Sequence, residues 1–519
     1  MNSSTWRKKQ TKYDIRIIVT SGLIALYLSM VTYMSIWDSL RKFYIYPVLF
    51  ILFFYFLYVL DLHIMNTELC IPSREQTKSK QKYFNMFFCI ILLGELIYWF
   101  AYYPGGFNLD AYGQWDQVHG LMKLNNWHPV FTTALYWSVT RIFDSFAFCI
   151  FAQLVLFSIS LAYFLIVLLE KKVPPKLLLY VAIYISLNPA IGLNNVCLVK
   201  DVLFCIAIIW LMIVFIRIVE SKGQWLRSAL HMGGTIFVLL AISLIRHNGI
   251  FVAVSVIVSL AFLFRKNIKN VLIMVVTYLL FLSLIQGPIF TSLGVEQHSN
   301  AVGEIVGVPM AIMANNLVSD YENTPEDVED FLLSIAELDE WKELYILGEW
   351  DSCKWDFGGT ELLQGVSLFD ILKLTWHSIC ASSESAYKSF RENTRVVWQV
   401  IGPVEWKTWV YIEENDYGIA ENSNRFCRTI VDALTELTLH LPGTFLFWNV
   451  GVVNIIYLLL MGYSVICREY RKMIYVIPVL SYNLLTMLLL CGPSHRYFYF
   501  NSVIVLPIVL LMFCKHTYE

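Results

Sequence analysis

Apolar residues in this chain come in runs of about twenty, separated by short polar turns. A run of that length crosses the ~30 Å hydrocarbon core of a bilayer as an α-helix. The pattern predicts a first helix from about Ile17 and further spans near 43–63, 83–103, 146–169, 177–196, 199–219, 229–245, 249–265, 271–290, 444–466, 474–491 and 500–514, about twelve in all. Trp6-Arg7-Lys8-Lys9 before the first run resembles the start of a signal peptide, but no small-residue cleavage pattern follows, so the reading is a retained helix. The segment 128–143 is apolar but short; it begins with His128-Pro129, ends near Arg141 and Asp144, and reads as a helix lying on the outer surface.

One long polar stretch, about 291–443, interrupts the apolar runs and holds enough Trp, Phe and Leu to fold as a small, mainly helical domain. Within it Thr324-Pro325-Glu326-Asp327 predicts a helix start, with Thr324 as N-cap and the acids favoured by the helix dipole. An amphipathic helix through Leu332, Ile335, Leu338 and Leu344 is expected to follow.

Charge orients this pattern. Clusters at Arg7/Lys8/Lys9/Lys12/Arg16, Arg74/Lys78/Lys80/Lys82, Lys171/Lys172/Lys176, Arg217/Lys222/Arg227, Arg265/Lys266/Lys269 and Arg468/Arg471/Lys472, with Lys515, hold 22 of the 38 basic residues. They fall on one side only if 128–143 does not span, and basic loops mark the cytoplasm. Both termini are then cytoplasmic and 291–443, with 26 acidic against nine basic residues, lies outside. Composition agrees: 57% hydrophobic and 15% charged residues exclude a soluble enzyme, for which roughly 25% charge is usual. A net charge of −2 gives no attraction to nucleic acid, and the eleven cysteines show no C-x-x-C pairing.

With this topology, chemistry collects at the outer helix tips. Asp110, Gln114, Asp116 and His128 lie in the first outer loop, Lys200-Asp201 at the mouth of the next hairpin, Arg246-His247-Asn248-Gly249 in a third and Ser494-His495-Arg496-Tyr497 in a fourth. Ionisable groups at a membrane face are costly and usually functional. Asp110 could serve as general base or hold a divalent cation; Arg246 and Arg496 suit phosphate oxygens. Taken singly, Lys200-Asp201 reads as a local ion pair, Arg246 and Arg496 as side chains snorkelling to headgroups, and His119 and His495 as structural. There is no G-x-x-x-x-G-K-[ST], H-E-x-x-H or G-x-S-x-G motif.

Pro104-Gly105, Asp110 with Gln114, Trp127-His128-Pro129, Lys200-Asp201, Arg246-His247-Asn248-Gly249, Glu304 in a run ending at Pro309, and Ser494-His495-Arg496-Tyr497 resemble the motifs of GT-C-type membrane glycosyltransferases. They are most similar to those of a Gram-positive GT-C-like family without an assigned function, over about residues 83–514. The resemblance implies an all-α polytopic fold with outer interfacial helices and a donor of the polyprenyl-phosphate-sugar type. On it, residues 1–82 are an added helix pair and basic cytoplasmic loop, 83–290 the GT-C-like membrane module with a catalytic first outer loop (104–145), 291–443 an acidic extracytoplasmic domain and 444–519 the last transmembrane helices. Two features depart from the pattern: the acidic loop follows the third helix rather than the first, and Asp110 and Asp116 stand six apart instead of forming an acid pair.

The expectation is a bacterial cell-membrane glycosyltransferase moving a sugar to an extracytoplasmic cell-envelope glycan or lipid. Asp110, Asp116 and His128 take the catalytic places, with Asp110 holding any divalent metal such as Mg or Mn. Arg246, Arg496 and Lys200 bind donor phosphate, and Gln114, Asp201, His247, Asn248, Glu304 and Tyr497 line the pocket. The rival is a multi-pass transporter or flippase for lipid-linked sugars, which would place ionisable residues near the bilayer midplane; a scaffold would leave the interfacial charges unexplained.

Overall fold

The computed structural model describes residues 14–66, 79–296, 302–359, 362–400, 410–440 and 442–513. The basic cluster at 7–12, Arg74, Lys78 and Lys515 lie outside them. Among the described residues the fold is helical, with isolated β-bridges and no strand. Every predicted apolar run contains helix, but the lengths differ from expectation. Six helices are long and apolar enough to cross a bilayer: Ile15–Ile36, Leu40–Ile64, Lys80–Ala101, Phe146–Glu170, Lys200–Glu220 and Arg265–Ser292. Five others, Ala229–Ile245, Gly249–Leu263, Val450–Ile466, Ile477–Met487 and Phe500–Phe513, have 10–17 residues.

The run 177–196 is not one helix. It breaks into Pro175–Leu187 and Pro189–Asn195 with a bend of 60°. Proline lacks the N–H needed to continue the ladder and disfavours helical backbone in the residue before it. Asn188 takes an extended conformation there, and its side chain caps the second helix by accepting from Ala190 N at 3.0 Å.

Lys200–Glu220 is apolar all round and forms the centre of the bundle, with all but four of its 21 residues buried; a helix without a polar face is stable only when enclosed. It packs against Phe146–Glu170 and Ala229–Ile245. The first two helices pair with each other, Ser21 Oγ donating to Asp61 at 2.7 Å, and the first also packs on Val450–Ile466.

The short apolar segment after His128-Pro129 is helical over Val130–Thr140. Eleven residues rise about 16 Å, half a bilayer core. In the acidic region, Val328, Leu332, Trp341, Trp350 and Leu363 build a separate core with Met310 and Met313. The helix start there differs from prediction. Pro325, not Thr324, is the N-cap of Glu326–Leu333, and the Thr324 hydroxyl turns back to Asp320 O at 3.3 Å. The expected continuous amphipathic helix is two, Glu326–Leu333 and Leu338–Leu344, the second begun by a capping box from Glu337 and Glu340.

The bundle has two chemically distinct ends. At one, Arg16 Nη1 donates to Ile466 O at 3.0 Å and Lys472 Nζ to Met512 O at 2.8 Å, so the first helix begins and the last ends beside the basic turns. The other end carries the first loop, Lys200, Arg246 and Arg496.

Candidate functional site

The first loop is fixed to the bundle by its backbone. Trp99 Nε1 donates to Pro104 O at 3.0 Å, and Gly106 N donates to Val196 O at 2.9 Å. Gly105 has φ +127°, and a Cβ there would lie 2.7 Å from Val196 O, so only glycine fits. Phe107 is paired on its other side to the 410–413 segment, accepting from Glu413 N at 2.8 Å and donating to Tyr411 O at 2.9 Å. Asn108 then caps the helix Leu109–His119 by accepting from Ala111 N at 3.0 Å. This sets Asp110 in the first turn, where the helix dipole favours a carboxylate.

Residues three and four positions apart share a helix face, whereas six positions turn the chain about 240°. Asp110, Gly113 and Gln114 therefore look the same way, and Gly113 packs under the His128 ring. Asp116 looks elsewhere: its carboxylate accepts a 2.5 Å hydrogen bond from the Tyr417 hydroxyl. Asp116 is therefore not brought together with Asp110.

Around Asp110 the other turns converge. Arg496 Nη1 donates to Asp110 Oδ2 at 2.6 Å, and His128 Nε2 stands 4.0 Å from Oδ1. Burial alone would raise the Asp110 pKa, but Arg496, His128 and Lys200 hold the carboxyl well below the ordinary carboxylate range. His128 is buried; desolvation and then Lys200 push it down to about 3, so the ring is neutral at physiological pH. Arg246 and Asp201 form an ion pair with both side chains almost fully buried. The Tyr497 ring lies under both arginines, its centroid 4.4 Å from Arg246 Cζ and 5.2 Å from Arg496 Cζ. Lys200, at the start of the central helix, has no ion-pair partner among the described residues but interacts with Asp110.

Three pocket candidates take peripheral places. His247 is exposed, and its Nε2 contacts Asn126 O at 3.0 Å, tying the third hairpin to the His128 loop. Asn248 opens the helix Gly249–Leu263 without a side-chain cap bond. Glu304 Oε1 accepts from Lys354 Nζ at 2.5 Å. Gln114 is buried with no partner for Nε2 among the described residues. His119, read as structural, bonds Trp115 O and Asp144.

Sequence reading passed over several neighbours. Lys354 and Trp355 of the acidic region approach the Trp127 ring, placing that region against the His128 loop. Their contacts carry no local signal. Glu95, wholly buried in Lys80–Ala101, accepts from Asn195 Nδ2 at 3.0 Å, and Asn195 in turn accepts from the Tyr499 hydroxyl at 3.2 Å. Glu95 stands six residues before the helix end at Ala101, within an apolar run of the sequence.

For a divalent metal the donor set fits poorly. Among the described residues no three His, Cys, Asp or Glu side chains converge as ligands. Asp110 already faces the cationic Arg496 and Lys200, Asp201 is held by Arg246 and Asp116 by Tyr417. Compared with protein-family models, curated proteins and solved structures, the chain matches none.

Proposed function

We propose that this is a multi-pass membrane glycosyltransferase of GT-C type, its twelve apolar helical segments set in a bacterial cell membrane with both termini inside. It moves a sugar from a polyprenyl-phosphate-linked donor to a cell-envelope glycan or lipid on the outer face. The observation that carries this reading is the cluster of buried Asp201, Arg246 and Arg496 with half-buried Asp110 and Lys200, which joins three cations to two carboxylates. One unit of positive charge left over in this largely buried site matches a lipid phosphate, on which negative charge grows as the glycosidic bond breaks.

At rest Asp110 is the counterion of Arg496 and too acidic to be an effective base. Donor phosphate competes for Arg496 and Lys200. As the ion pair loosens, the carboxylate regains basicity where the acceptor hydroxyl must lose its proton. The acceptor oxygen then bonds to the anomeric carbon, the bond to the phosphate oxygen breaks, and the electron pair leaves with the lipid phosphate. Neutral His128 positions Asp110, and Tyr497 holds the two guanidinium groups by cation–π contact.

The test is release of polyprenyl phosphate by purified protein in detergent, using a panel of polyprenyl-monophosphate hexoses and pentoses with an envelope extract as acceptor. Asp110→Asn should abolish release; an unchanged rate would sink the reading. A second reading, a flippase for lipid-linked sugars, draws support from Glu95 buried beside the broken helix pair, since transporters place ionisable groups at such breaks. Detergent separates the two, because without compartments a flippase yields no product.

A further inference from the structure

At the end of the bundle opposite Asp110 lies an open cavity of about 1060 Å³, bordered by the turns around 222–227, 262–267 and 468–473. Seven of its fifteen lining residues are Lys or Arg, and one, Glu469, is acidic. That acid is already bound by Lys472 at 2.6 Å. Arg227, Arg265 and Lys266 have no carboxylate partner among the described residues. Neighbouring basic residues at the same end behave differently. Lys80 and Arg217 both bind Glu170, at 2.8 and 2.9 Å, while Arg217 and Lys171 also pair with Glu220. Topological charge needs only to lie on one side of the membrane, so it does not explain why one group is neutralised and the other gathers around a cavity.

The cavity is also amphipathic. Phe262, at the end of Gly249–Leu263, is 76% exposed beside it, and Phe264 forms a buried wall facing Arg471. Cations close to an apolar rim suit a phosphate headgroup whose chains continue along the helices. We propose that this cavity is a binding site for a phosphate-bearing anion, supplied by the headgroup of an anionic membrane lipid. It is separate from the Asp110 cluster: the 21-residue Lys200–Glu220 helix, about 32 Å long, separates Lys200 from the turn that carries Lys222.

The experiment places full-length protein in nanodiscs of phosphatidylcholine doped with phosphatidylglycerol and measures by native mass spectrometry which lipid stays bound. Wild type should retain phosphatidylglycerol selectively. Arg227→Gln/Arg265→Gln/Lys266→Gln should lower that occupancy by roughly tenfold or more, since each cation near an anionic surface contributes on the order of fivefold. Arg227→Lys/Arg265→Lys should keep it, as should Lys176→Gln/Lys269→Gln, which removes charge from the same end outside the cavity. Equal melting temperatures in neutral detergent establish that the variants fold. Unchanged occupancy in the triple variant, or equal loss in the Lys176/Lys269 control, overturns the proposal. Pyrophosphate supplies the soluble arm: saturable stabilisation of wild type but not the triple variant, without phosphatidylglycerol retention, would overturn a lipid as the source.

Discussion

Asp110 has an arginine on one oxygen and a neutral histidine near the other, and its behaviour follows from that pairing. Asp110→Asn keeps the shape but removes the base and the counterion. Polyprenyl phosphate release should fall by about 10²-fold or more, the usual scale of general-base loss. The buried Arg246–Asp201 pair makes a second expectation. Asp201→Asn leaves a guanidinium desolvated without its partner and should destabilise by about 3–5 kcal/mol, with much of this recovered in Asp201→Asn/Arg246→Gln. Denaturant unfolding in detergent compares both variants with wild type. His128 supplies a pH test. Its folded pKa of about 3 lies below the 6.5 of an ordinary histidine, so the unfolded chain binds the proton first as pH falls. The contribution is complete above pH 6.5 and is lost as pH falls from about 6.5 toward 3. The melting temperature of His128→Gln should therefore drop less between pH 7 and pH 4 than that of wild type.

At the scale of elements, the first loop is the part on which the site depends. Its register is set by one glycine that touches a carbonyl of the broken helix pair's exit. Gly105→Ala forces a side chain into a backbone region that L-residues avoid and against Val196 O; the cost should be about 1–3 kcal/mol. The same variant should lower polyprenyl phosphate release more than it lowers the melting temperature of the bundle, because Asp110 follows five residues later. Element geometry also explains which sequence expectations held. The Asp110–Gln114 face follows from helical periodicity, and that periodicity already separates Asp116 from it. The break at Asn188-Pro189 was equally legible from proline's missing donor. By contrast, nothing in Leu332, Ile335, Leu338 and Leu344 announces that the helix stops after Leu333, leaving Ile335 in the turn, since apolar positions continue across it.

The whole molecule is polarised: paired and cavity-lining cations gather at one end, and the Asp110 cluster sits at the other. If the basic end is cytoplasmic, a membrane-impermeant maleimide applied to intact cells should label Lys123→Cys and not Lys269→Cys, both positions being exposed. The background would be a variant lacking Cys89, Cys380, Cys427 and Cys467, the cysteines that are not buried among the described residues, together with Cys70 and Cys514, which lie outside them. Labelling of Lys269→Cys alone would invert the topology and move the proposed transfer to the cytoplasmic face. The polarity also separates the two proposed sites, so loss of lipid retention at one end and loss of sugar transfer at the other can be measured independently.

The sequence by itself determined the helical class and where the apolar runs fall, because burying backbone in hydrocarbon demands helices of a minimum length. It also placed Asp110, His128, Lys200, Arg246 and Arg496 at helix tips, since polar turns must surface at a membrane face. Which of these residues meet was decided only by tertiary structure. Ion pairs such as Asp110–Arg496 join positions 386 residues apart, and their formation depends on how helices rotate and pack, which local spacing does not encode. The diversion of Asp116 to Tyr417, the approach of Lys354 to Trp127 and the gathering of cations around a cavity arise in the same way, from packing between distant segments.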